Sequence, residues 1–110
     1  MLKHIFTIFF FLFACMLSYA HFDFNIRCKT AYSNIVSLKV YPAKKIISEE
    51  KKENTANLIP ILLENHIDFL SLFVSEDQKQ YDLLHSLQKT RLLILENGDK
   101  SSPYYLYTQA

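Results

Sequence analysis

The chain has one glycine, three prolines, two cysteines and no tryptophan, and across 110 residues its formal net charge is only +1. Each scarcity closes a class of function. A single glycine, Gly98, cannot build the several-glycine loops that cradle phosphate in dinucleotide folds and P-loops. Two cysteines cannot knit a disulfide scaffold. So slight a net charge leaves no global field to gather nucleic acid or anionic lipid. Half of the residues are hydrophobic and 15% are aromatic, which excludes disorder, and with so few helix breakers the chain reads as all-α.

The longest apolar run extends from Ile5 to Leu17, broken only by Thr7, after a short basic start at Lys3 and His4. It is shorter than the roughly 20 apolar residues needed to cross a bilayer core. It leads into Ser18-Tyr19-Ala20, with small side chains where a signal peptidase requires them. Residues 1–20 are therefore expected to be a signal peptide cut after Ala20, placing the protein in the periplasm, the cell envelope or outside the cell. The alternatives are a retained anchor or lipidation at Cys15, although Phe13 before that cysteine and Met16-Leu17 after it fit a lipidation signal poorly. In residues 21–110 the cations and carboxylates balance, and Cys28 is the one cysteine, expected as a small buried apolar residue.

From Phe24 the apolar positions Cys28, Ala31, Ile35 and Leu38 alternate steps of four and three, the stripe of an amphipathic helix with Asn25 as its candidate cap. Tyr41-Pro42 should end it, and a second helix should run from Pro42 to about Lys52 with Ala43, Ile46 and Ile47 inward. Asn57 can cap a third, from Leu58 to Val74, so apolar that neighbours should cover all but the stripe Glu64, Asp68, Ser71 and Ser75. Ser75 to Gln78 has the form of a capping box opening a fourth helix. That helix loses phase around Ser86 to Lys89, reading either as one helix to Glu96 or as two with a break, and ends at Asn97-Gly98, where a left-handed glycine is expected. Ser102-Pro103 opens a fifth, which stops at Ala110 without a cap, as a piece of a longer product would.

Two helical hairpins about 33 residues apart, from Asn25 to Leu58, suggest a repeat. Ala31 and Ala43 stand twelve apart and Ile47 follows four later. On these residues Asn25 to Asn57 resembles one degenerate tetratricopeptide repeat, a helix pair whose small residues recur where the helices touch. Glu50 at the third small position, Thr55 at the turn-proline position and Arg27 at the early aromatic depart from that pattern. The strings Leu62 to Leu70 and Gly98 to Leu106 look like uncharacterised exported bacterial proteins that carry such repeats. The resemblance implies antiparallel hairpins stacked as a short solenoid over residues 21–110, a binding scaffold, and no catalytic residue or cofactor.

Glu64 and Asp68, four apart on one helical face, could share a metal or act as acid and base, but as part of a polar stripe they read as solvated or helix-bridging. His66, on the apolar side, reads as a core histidine bonded to a neighbour. Asp82 and His85 read as an ordinary exposed pair. Lys44-Lys45 and Lys51-Lys52 are interleaved with Glu49, Glu50 and Glu53 and read as a solvated, self-cancelling face. Tyr104, Tyr105 and Tyr107 are the candidate interaction surface, because tyrosines are favoured in recognition; packing between hairpins is their alternative role.

The expected function is that of an exported scaffold for a protein or peptide partner, with no nucleic acid bound and the membrane met only through the leader or a later segment. The alternative is the extracytoplasmic input segment of a membrane-anchored sensor or enzyme whose active part lies beyond residue 110. With two hairpins and part of a third, the last is expected to expose apolar surface and to form homo-oligomers or fold marginally.

Overall fold

The structure, a computed structural model, describes the backbone of residues 2–16 and 20–110 and the side chains of residues 2–11 and 20–110. Six helices occur among the described residues: α1 (Leu2–Met16), α2 (Ile26–Val36), α3 (Val40–Glu53), α4 (Ile59–Ser75), α5 (Gln78–Leu95) and α6 (Pro103–Gln109). The side chains of residues 2–11 are all exposed. The Cys15 side chain and residues 17–19, on which the lipidation and cleavage expectations fall, lie outside the described residues.

The core sits where α2, α3 and the first half of α4 meet. Cys28, Ala31 and Ile35 of α2 interlock with Ala43 and Ile47 of α3 and with Ile59, Leu63 and Ile67 of α4. The small residues at Ala31 and Ala43 let the α2 and α3 backbones approach, and α2 and α3 form the most extensive helix pair. Helix α4 packs on α2, α3 and α5, and α6 returns onto α5.

Several boundaries differ from expectation, each for a local reason. Helix α2 stops at Val36 because Leu38 adopts φ 61°. Lys39 N then bonds Asn34 O at 2.8 Å and Leu38 N bonds Ile35 O at 3.0 Å, the paired closure of a Schellman motif. That turn releases the chain early enough for α3 to begin at Val40, leaving Pro42 in its first turn, where its missing N–H costs nothing. The capping box at Ser75 does not form: Ser75 is the last residue of α4, Glu76 turns left-handed at φ 53°, and Asp77 caps α5 by accepting from Lys79 N at 3.0 Å. Helix α5, by contrast, follows one of the two alternatives open from the sequence, running through Ser86 to Lys89 as a single helix. Gly98 is not left-handed. It is there for space, since a Cβ would lie 2.7 Å from Phe22 Cζ and 2.9 Å from Leu58 Cδ1.

Helix α4 is not covered along its length. Its first half is buried, but Phe69 is 67% and Phe73 77% exposed. Seventeen residues make α4 about 25 Å long, whereas the eleven of α2 span only about 16 Å, so α4 overhangs its partner.

Candidate functional site

The chain entering α2 is tied down before any helix begins. His21 N donates to Ala56 O at 3.0 Å, and Leu58 N donates to His21 O at 2.8 Å, so residues 21–25 run beside the turn that precedes α4. The Asn57 side chain fastens the two: its Oδ1 accepts from Asp23 N at 3.0 Å and Ile59 N at 3.2 Å, and its Nδ2 donates to Asp23 O at 2.8 Å. Asn57 thus serves the start of α4 as expected of a cap, although the cap position itself is Leu58. Asn25 caps α2 as expected, accepting from Cys28 N at 3.0 Å.

Both asparagines meet at Glu50, which is 1% exposed, contrary to the solvated role expected of it. Its Oε1 accepts from Asn25 at 2.7 Å, Asn54 at 2.8 Å and Asn57 at 3.0 Å, while Arg27 lies 3.3 Å from Oε2. Burial on its own raises the Glu50 carboxyl; the three amide donors and the Arg27 charge outweigh it and hold the group below its ordinary value of 4.5. Cys28 lies beside this cluster, 3.7 Å from Asn57 Nδ2. The two protons of that amide already serve Asp23 O and Glu50, so the sulfur contact is packing. Burial, then the Glu50 carboxylate, push the Cys28 thiol up to about 11. A reactive cysteine needs the opposite shift. This cluster is a clasp that holds the entering segment, residues 21–25, to α3 and the following turn, and that segment in turn places Phe24.

Phe24 is the first of five rings. Tyr104 packs on it at a centroid distance of 5.7 Å, and Tyr32 of α2 stands edge-on to it at 6.2 Å. Tyr32 is also edge-on to His66 of α4 at 6.2 Å, and His66 lies parallel to Tyr107 at 5.8 Å. Tyr104 and Tyr107 are brought there by α6, whose start is built by an Asp99–Ser101 turn and by Ser102 Oγ accepting from Tyr104 N at 3.2 Å. The five rings border an open cleft of about 390 Å³ whose floor includes Ile59, Leu62 and Leu63. Among the described residues no lysine, arginine, aspartate or glutamate lines it.

One polar pair marks the cleft. His66 Nδ1 lies 3.1 Å from Leu62 O and therefore carries the ring proton, leaving Nε2 to accept from the Tyr107 hydroxyl at 3.0 Å. Two of the three expected interaction tyrosines, Tyr104 and Tyr107, line the cleft; Tyr105 is half-buried and does not. Phe24 and Tyr32 were not singled out from the sequence, where their aromatic character carries no sign of what faces them.

The other candidates go elsewhere. Glu64 pairs with Lys51 at 2.8 Å and lies 3.6 Å from Arg91 Nε, and Asp68 pairs with Arg91, so both bridge helices. Asp82 accepts from Gln78 at 3.1 Å, whereas His85 stacks on Tyr81 at 5.7 Å. Among the described residues no group of three or more histidine, cysteine, aspartate or glutamate side chains could hold a metal, and no helix is long and apolar enough to cross a membrane. No protein-family model, curated protein or solved structure matches the chain.

Proposed function

We propose that the chain is an exported helical-hairpin repeat protein that binds a protein or peptide partner at the five-ring cleft and performs no catalysis itself. The observation that carries this reading is the convergence of Phe24, Tyr32, His66, Tyr104 and Tyr107 around one open apolar cavity. Side chains that bury large area while fixing few rotatable bonds are what recognition surfaces use. The pairing of α2 with α3 and of α4 with α5, and the contact of α4 with both earlier helices, support a tetratricopeptide-like stacking of hairpins. Export is supported by the basic start, short apolar run and small residues of the leader.

Selection of displayed random peptides against the purified chain tests the binding half. Enrichment of a peptide class that the doubly substituted Tyr104→Ala, Tyr107→Ala chain no longer retains is expected; equal retention by both chains would refute the reading. Export is tested by sequencing the amino terminus of the protein recovered outside the cytoplasm, which should begin at His21.

A further inference from the structure

We infer that the five-ring cleft takes one neutral aromatic ring carrying a hydrogen-bond donor, an indole or a phenol, presented either as a peptide side chain or as a free small molecule. The inference rests on the reading of this cleft as the binding face and specifies its ligand chemistry. Three observations carry it. First, consecutive rings around the cleft lie 5.7 to 6.2 Å apart in edge-on, tilted or parallel pairs, within the range aromatic pairs prefer, and a sixth ring entering the cavity continues that packing. Second, among the described residues no formally charged lysine, arginine or carboxylate side chain lines the cavity, so a charged ligand would lose its hydration with no counterion in return.

Third, the polar edge of the cavity has a definite sense. His66 uses both ring nitrogens, Nδ1–H toward Leu62 O and Nε2 in accepting from Tyr107. The Tyr107 hydroxyl has spent its one proton, and its oxygen keeps lone-pair capacity. At this His66–Tyr107 edge, which lies apart from the Tyr32 and Tyr104 phenols of the same lining, the group offered to an incoming ligand is an acceptor. The matching ligand is a donor on an otherwise apolar ring: the N–H of indole or the O–H of phenol. A volume of about 390 Å³ suits such a group, lying near the small end of the range for ligand pockets.

The absence of tryptophan makes the test direct, because indole fluorescence then reports the ligand alone. The purified full chain is titrated into indole, 1-methylindole and N-acetyltryptophanamide. A saturable blue shift is expected with indole and with the amide, and 1-methylindole, which lacks the donor, should bind about threefold to tenfold more weakly. Tyr107→Phe keeps the ring and removes the acceptor, so indole and 1-methylindole should bind it equally. Tyr32→Ala opens one wall at a partly exposed position and should weaken all three ligands at least tenfold while the helical circular-dichroism spectrum is kept. Absence of saturable binding, or equal binding of indole and 1-methylindole to the unsubstituted chain, would overturn the inference. Binding of indole without the amide assigns the site to free small aromatics, leaving the ligand chemistry standing while the peptide reading falls. Retention of displayed peptides without binding of either indole or the amide leaves the peptide reading standing and sinks the ligand chemistry.

Discussion

At the scale of single residues, burial raises both Glu50 and Cys28, and only at Glu50 do amide donors and a neighbouring cation reverse the outcome. The Glu50 carboxyl is held below its ordinary value in the folded chain, so the unfolded chain binds its proton first as pH falls. Its contribution to stability is therefore complete above about pH 4.5 and is lost as the solution is acidified through the lower folded value. Urea unfolding followed from pH 7 to pH 3 should show this loss, and Glu50→Gln should flatten that acid limb while costing about 1–3 kcal/mol at pH 7. Cys28 has its thiol proton held up to about 11, so native protein at pH 8 should resist iodoacetamide at this site and react in full once unfolded, as read by peptide mass. Glu50 was the least legible residue. Among neighbouring lysines and glutamates it reads as solvated, and nothing within α3 reveals that amides from Asn25, Asn54 and Asn57 converge on it. Its misfit to the small position of the repeat was the available signal: a side chain where the helices touch must be buried, whatever its charge.

At the scale of elements, the helices themselves were legible and their ends less so. The three-and-four spacing of Cys28, Ala31 and Ile35 locates the buried face of α2, but the end of α2 depends on Leu38 entering a left-handed conformation that leucine resists. Because Leu38 is 70% exposed, Leu38→Gly sacrifices little burial and should raise stability by about 1 kcal/mol, measurable as a higher melting temperature. Helix α4 gives a paired contrast along one element. Ile67 is 4% exposed within the core, and Ile67→Ala should cost about 2–5 kcal/mol. Phe73, two turns nearer the carboxyl end, lies on the overhang, and Phe73→Ala should change stability by no more than about 0.5 kcal/mol in the same denaturation assay. Composition alone makes these two halves of α4 look alike. The difference comes from the unequal lengths of the helices beside it.

At the scale of the whole molecule, the packed body begins where residues 21–25 join the turn before α4, and the described side chains of α1 are exposed. A chain starting at His21 should therefore melt within a few degrees of the full chain by circular dichroism. A large fall would show that α1 supports the body. Phe69, Phe73, Leu83 and Leu93 leave apolar surface exposed on α4 and α5, outside the last hairpin for which exposure is expected from the sequence.

The all-helical class, the stripe of α2 and the break before α3 could be determined from the sequence, because each depends on residues within one or two turns of one another. The cleft could not: its rings come from positions 24, 32, 66, 104 and 107. They meet only because the Asn57–Glu50 clasp fixes the entering segment and α6 brings Tyr104 and Tyr107 against Phe24 and His66. Local spacing shows which face of a helix is apolar. Which faces oppose each other, and whether the space between them stays open, is set by helix lengths and crossings that appear only once the chain is packed.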